Sequence, residues 1–217
     1  MYTRIRFGRV LREGAGVTAF RLAHVPGAFE WRNHPLAWQV GPDHSLTITA
    51  GRDTDWFIDP AGHDAKDSAP SALFVPPDRH FLWSAHVRVA FASAFDAGVL
   101  PVYVRDDLWA KLCFELSPQR QPMIVSVVTR GTSDDCNSAP IEGPAVYLRI
   151  ARQAHAFAFH YSHDGEWWHL VRYFSLGPVE TVRMGVSAQS PTGQHCTVIF
   201  SEIRYLQGTL QDMRSGA

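Results

Sequence analysis

Charged, aromatic and thiol side chains alternate with apolar ones in the run Leu108–Leu116, which reads LWAKLCFEL. Its even positions Ala110, Leu112, Phe114 and Leu116 are apolar, and its odd positions are Trp109, Lys111, Cys113 and Glu115. Successive side chains of a strand point to opposite faces, so the odd set shares one face, with next-but-one residues about 6.6–6.8 Å apart. An indole, an ammonium, a thiol and a carboxylate in a row can stack on a ring, bind hydroxyls or carboxylates, or supply one member of a glycosidase pair. A glycosidase needs a second carboxyl about 5–9.5 Å from the first. Glu115 is the only carboxylate of its run, so Glu30, Asp55, Asp134 or Glu142 would have to supply the other from a loop. A structural or binding role is the simpler reading of these acids.

The same parity extends to other runs. Tyr147 and Arg149 stand opposite Leu148 and Ile150, and His160 stands with Ala158 and Ser162 opposite Phe157, Phe159 and Tyr161. Ser126 lies between Val125 and Val127. If these strands are neighbours, Trp109, Lys111, Glu115, Ser126, Arg149 and His160 line one concave surface, with Asp55 and Trp56 beside it. The competing reading is a solvated face, because the outer face of an antiparallel sheet is polar wherever water meets it.

Other chemistries find less support. The sequence has eleven histidines, and His160, His163, Asp164 and His169 lie close together. His163 and Asp164, however, occupy an Asp-Gly turn of the kind that closes hairpins. His160 and His169 would then face each other across it, and two ligands make a poor zinc site without a third. Neither metal nor cofactor is expected. No G-x-S-x-G elbow or Gly-rich phosphate loop occurs, and Cys113 reads as a small inert core residue.

The elements that must position these residues are strands. Over 217 residues, a length of ~100–200 per domain suggests one domain. Helical periodicity is nearly absent, and short alternating runs recur between Gly, Pro, Asp and Asn clusters. Strands are expected at residues 4–11, 18–22, 45–50, 81–91, 98–104, 108–116, 123–129, 145–152, 156–162, 167–174, 181–188 and 197–205. Residues 59–77 read as a long irregular stretch and 132–144 as a loop. Residues 17–206 form the expected sandwich, preceded by an extension with a strand (1–16) and followed by a tail frayed from Gly208 (207–217).

Composition bounds the partners. The formal net charge is -1, which favours neither a phosphate backbone nor an anionic lipid surface. No run approaches the ~18 apolar residues of a membrane span, and the N-terminus lacks the apolar stretch of a signal peptide. Three cysteines without C-x-x-C spacing point to a reducing cytoplasm.

Several blocks in order resemble a known family. They are Phe29-Glu30-Trp31-Arg32-Asn33-His34-Pro35 with Trp38, Thr54-Asp55-Trp56-Phe57, Leu108-Trp109-Ala110-Lys111 with Glu115, and Ser126-Val127-Val128-Thr129 with Ser133-Asp134. Arg149, Ser162-His163-Asp164-Gly165 with Trp168, and Ser190-Pro191 follow. Over roughly residues 29–203 the chain resembles the DUF1349 group of concanavalin A-like proteins, sometimes labelled regulation of enolase protein 1. The resemblance implies an all-β jelly-roll sandwich of two antiparallel sheets, as in legume lectins and family-16 glucanases, and kinship with β-sandwich modules appended to glycosidases. It implies no activity, the family being largely uncharacterised. The E-x-D-x-x-E run of glycosidases with this fold is absent. The sequence also departs from the family pattern, with His34 where an acid is usual, Asp135 where an aromatic is usual, and Phe95-Asp96-Ala97-Gly98 as a variant of Asp-Gln-Ala-Gly.

Three functions follow as expectations. The first is binding of a small saccharide or polar metabolite in the sheet groove, with Trp109 or Trp56 stacking on a ring. The second is a glycosidase-like hydrolase using Glu115 and a loop carboxylate. The third is an intracellular interaction module whose groove holds a peptide or a dimer partner, a homodimer also being open to it through sheet edges.

Overall fold

The computed structural model describes residues 19–217; the extension at residues 1–16, with the strand expected at 4–11, lies outside the described residues. Period-two alternation yields strands and nothing helical among the described residues, so no helix there is long and apolar enough to cross a membrane.

The first strands are short: β1 (Ala19–Phe20), β2 (Phe29–Arg32), β3 (Ala37–Val40) and β4 (Leu46–Gly51). A hairpin of β5 (Trp56–Ile58) and β6 (Ala65–Asp67) precedes β7 (Ser71–Phe74). Longer strands follow: β8 (His80–Val89), β9 (Ala97–Arg105), β10 (Leu108–Leu116), β11 (Pro122–Arg130) and β12 (Thr132–Pro140). The last are β13 (Ala145–Gln153), β14 (Ala156–Ser162), β15 (His169–Ser175), β16 (Arg183–Gln189) and β17 (His195–Gln207).

Two large antiparallel sheets result, as in a jelly-roll sandwich. Among the described residues one has eight strands in the order β1-β2-β7-β16-β9-β10-β11-β12, and the other seven in the order β15-β14-β13-β8-β17-β4-β3. Their facing sides enclose a core in which Phe29, Phe74, Trp83, Phe114, Phe157, Phe159 and Phe200 are almost wholly buried. Trp83 retains a partner for its indole N–H, the Gly185 carbonyl at 2.9 Å, as a buried donor requires. The sheets meet so closely at Gly98 that an added Cβ would lie 2.5 Å from Val87 Cγ1 and 2.7 Å from Val198 Cγ1.

Alternation and burial agree in β8, whose residues alternate between buried and more exposed along most of its length. β10 differs, because all nine of its residues are buried. Its even positions enter the inter-sheet core. Of its odd positions, Trp109 lies beneath a cover, packed with Trp56, Ala69, Leu73, Val127 and Ile58, while Cys113 packs with Ala97, Val99 and Val125. The β5–β6 hairpin is therefore a lid on the outer face of the eight-stranded sheet, pinned where Ile58 N–H donates to Ser133 Oγ at 2.9 Å.

Three local expectations are corrected. Residues 132–140 are not a loop but β12, an edge strand. Its ladder to β11 uses the backbone, so the polar TSDDCNSAP run suffices, and polar residues at an edge also discourage further pairing. The stretch 59–77 contains β6 and β7. Finally, the segment from Gly208, expected to fray, is docked on the outer face of the seven-stranded sheet, with Leu210 and Met213 buried.

Candidate functional site

Lys111 sits at the middle of β10, paired with Pro101 of β9 and Val127 of β11. Val127 pairs in turn with Asp135 of β12, so Lys111, Val127 and Asp135 form one row across the outer face. Lys111 is only 3% exposed. Its Nζ donates to Asp55 Oδ1 at 2.9 Å and to Gln189 Oε1 at 3.0 Å. Asp55 is placed by backbone geometry, its Oδ1 accepting from Trp56 N–H at 2.7 Å and its carbonyl from Ala69 N–H at 3.1 Å. Gln189 ends β16 and is turned by its own amide, which donates to the Phe95 carbonyl at 3.1 Å and to Glu115 Oε2 at 3.4 Å.

The loop opposite the hairpin is fixed by Asp96. This buried carboxylate accepts from Ala92 N–H, Ser93 N–H and Ser190 Oγ at 2.9, 2.8 and 2.7 Å. It holds Phe95 (φ 68°) and the Ser190-Pro191 turn at the rim. Between this loop and the hairpin lies a cavity of about 390 Å³. Lys111, Glu115, Val127, Asp135 and Gln189 are on its sheet side, and Asp55, Phe57, Asp59, Asp64 and Lys66 on its hairpin side. Phe95, Pro191 and Thr192 close the third side.

The charges in the cavity depend on one another. Burial disfavours the Lys111 ammonium, but the bonded Asp55 carboxylate opposes it, and the pKa stays above the ordinary lysine value. Burial pushes Glu115 up to about 8, against the pull of Lys111 and with added repulsion from Asp55 and Asp135. Burial likewise raises Asp135. Glu115 is therefore largely protonated near neutrality and can donate a hydrogen bond, as Lys111 does, while Asp135 and Gln189 accept. Burial also drives the Cys113 thiol well above its ordinary value, which removes it as a nucleophile. Among the described residues, no group of three or more His, Cys, Asp or Glu is placed to hold a metal ion.

The structure brings Asp55, Lys111 and Glu115 together and separates the other expected residues from them. Trp109 is on the outer face and Trp56 in the lid hairpin, and they pack on each other, ring centroids 5.9 Å apart, 3% and 4% exposed. Neither ring presents a free face on which a sugar could stack. Ser126 pairs with Leu112 and so faces the inter-sheet core. Arg149 and His160 belong to the seven-stranded sheet and stand on its far side, beneath the segment after β17. His169 pairs with Tyr161, and His160 pairs with Leu170, so the two histidines are not cross-strand partners. Of the other acids considered as partners for Glu115, Glu30 pairs with Arg183 and Asp134 with Arg172, and neither they nor Glu142 line the cavity.

Sequence reasoning missed Gln189, Asp135 and the hairpin residues Phe57, Asp59, Asp64 and Lys66. Asp135 was visible as a departure from the family pattern. Gln189 shares its strand parity with Ser187 and adjoins the Ser190-Pro191 block, but only the strand order, with β16 beside β9, brings it to Glu115.

A family model described as "Protein of unknown function (DUF1349)" matches residues 31–207. No curated protein sequence matches the chain. Among solved structures, a functionally unknown protein from Saccharomyces cerevisiae is 22% identical with a TM-score of 0.77, the match covering 84% of this chain and 97% of that one. The GH43 protein BlXynB from Bacillus licheniformis is 17% identical with a TM-score of 0.68, covering 84% of this chain and 37% of that one. GH43B from the Bacteroides ovatus xyloglucan locus is 15% identical with a TM-score of 0.61, covering 95% and 41%. The chain thus spans well under half the length of these two GH43 proteins, and at such identities the likeness is one of fold.

Proposed function

The chain belongs to the DUF1349 family, and from that premise we propose that it binds a small polar ligand, a saccharide or a sugar-sized metabolite, in the cavity beside Lys111. The observation that carries this reading is a buried ammonium and a buried carboxyl on the wall of one cavity, joined by the Gln189 amide. Buried polar groups are normally satisfied internally, but among the described residues Glu115 has only a long 3.4 Å bond from Gln189, leaving capacity for a ligand hydroxyl. The volume of about 390 Å³ lies within the ~300–1,000 Å³ of small-molecule sites. Donors, acceptors and the apolar edges of Phe57, Phe95 and Pro191 suit a ring bearing hydroxyls. The fold likeness to part of GH43 proteins also favours a saccharide. Calorimetric titration with a panel of mono- and disaccharides and sugar acids tests the reading. Saturable binding that weakens in Glu115→Gln supports it, and a panel without any binder removes the saccharide class.

A second reading is hydrolysis, favoured by one observation: Glu115 is held protonated near neutrality in a cavity that Asp55 and Asp135 also line. A protonated carboxyl and a second carboxyl on the wall of one cavity are the groups that glycoside hydrolysis uses. On a panel of chromogenic glycosides, activity should fall as pH rises through about 8 and vanish in Glu115→Gln. Activity that survives that substitution removes the assignment.

A further inference from the structure

The outer face of the seven-stranded sheet carries a second constellation, independent of the cavity. Arg149 of β13 and His160 of β14 are cross-strand partners, so their side chains stand together on one face. Trp168 lies over the guanidinium, with Arg149 Cζ 4.1 Å from the ring centroid. Arg149 is 6% exposed and His160 fully buried.

The cover over them is the segment that follows β17. Leu210 and Met213 pack on Ala151 and Ala158. Arg149 Nη2 donates to the Gly216 carbonyl at 2.7 Å, and His160 Nε2 donates to the Met213 carbonyl at 2.9 Å. The Gly208 N–H still bonds the His80 carbonyl, but beyond it the segment's backbone bonds, Asp212 N–H to Ala217 and Gly216 N–H to Asp212, close on the segment itself. It is a strap held by two side chains of the sheet, by two apolar residues of its own and by Arg214, whose Cζ stands 5.2 Å from the Tyr173 ring centroid.

What it covers is poorly matched to it. No ion pair among the described residues includes Arg149. Arg149 Nε and His160 Nδ1 are both buried without a hydrogen-bond partner among the described residues. A guanidinium offers five donors in a planar fork that fits an oxyanion, and burying it against neutral carbonyls leaves most of its desolvation cost uncompensated. Burial accordingly draws its pKa down to about 10. The carbonyl oxygens of Met213 and Gly216 stand where two oxygens of an anion would satisfy the same two side chains.

We propose that Arg149, His160 and Trp168 form a second binding site, for a small molecule bearing a carboxylate or phosphate group, and that residues 209–217 are a displaceable strap occupying it. The shared chemistry is an oxyanion held by the guanidinium fork and the imidazole N–H.

Gly216 offers a way to lift the strap without touching the site. It has φ +78°, and an added Cβ would lie 2.7 Å from Arg149 Nη2 and 2.9 Å from Trp168 Cβ. In the full chain, Gly216→Val should release residues 209–217, read as faster amide hydrogen exchange there with the strands still protected. Inorganic phosphate and acetate are then titrated by calorimetry in separate arms. At least one arm should bind about tenfold tighter than to wild type, the scale of one charge-assisted hydrogen bond. The gain should disappear in Gly216→Val combined with Arg149→Met. Gly216→Ala, which adds the Cβ alone, serves if the valine variant does not fold. Equal affinity with and without Arg149, or a strap that stays fully protected in the glycine variants, overturns the proposal.

Discussion

Lys111 and Arg149 are both cations buried mid-strand on the outer face of a sheet, and their covers treat them differently. The β5–β6 lid region supplies Lys111 with a carboxylate, Asp55, at 2.9 Å. The strap after β17 supplies Arg149 only with a carbonyl, at 2.7 Å. The first cover completes a charge network and leaves a cavity beside it. The second fills its site and leaves a charge without a counter-ion among the described residues. A buried charge in a β-sandwich therefore does not by itself mark a site of one kind. What the cover contributes decides whether the face works as a finished pocket or as an occupied one.

The largest expected effect separates the two cations. Lys111→Met strands Asp55 in a nearly closed setting and should cost about 3–5 kcal/mol, as breaking a buried pair from one side does. Arg149→Met leaves no carboxylate behind, and its cost should be limited to one hydrogen bond and the Trp168 contact, about 1–2 kcal/mol. Urea unfolding of both variants measures this, and equal losses would erase the distinction.

Proton linkage sharpens it. The native pKa of Glu115, about 8, lies above its ordinary 4.5, so the folded state keeps a proton that the unfolded chain releases. Its contribution is complete below pH 4.5 and is lost as pH rises to about 8, at about 1.4 kcal/mol per pH unit. Glu115→Gln should abolish that decline in urea unfolding followed across pH. His160 behaves oppositely. Burial, then the Arg149 charge, lowers it from 6.5 to about 4, so the unfolded chain takes up the proton first. Its contribution is present above pH 6.5 and is lost as pH falls to about 4, a shorter window with a smaller total. His160→Gln should flatten the acid limb and leave the alkaline one unchanged.

The smallest effect belongs to Asp134, whose exposed carboxylate pairs with Arg172 at 2.9 Å. Asp134→Asn should cost about 0.2–1 kcal/mol and leave ligand affinity in the cavity unchanged. A loss of binding there would extend the site beyond β12 residue Asp135.

The parity of β10 was readable in the sequence: the even residues do fill the core, and Lys111 and Glu115 share the other face. Parity works within a strand, because the pleat fixes it, but it does not carry from one strand to the next. Ser126 faces inward because it pairs with Leu112, a register that neither strand encodes alone. Arg149 and His160 have the expected mutual relation but belong to the other sheet, since strand order sets sheet membership. β12 was missed because an edge ladder made by backbone groups needs no apolar alternation. The docked strap left a faint trace, Leu210 and Met213 spaced three apart in an otherwise polar run, but nothing in that spacing names the surface they cover.

Whether the Lys111–Glu115 cavity is the ligand site is read by calorimetric titration of the tightest-binding saccharide into wild type, Glu115→Gln and Arg149→Met at one near-neutral pH. Binding should be saturable in wild type, weaker by about tenfold in Glu115→Gln, the scale of one ligand hydrogen bond, and unchanged in Arg149→Met. Undiminished affinity in Glu115→Gln, or a loss confined to Arg149→Met, would contradict that assignment.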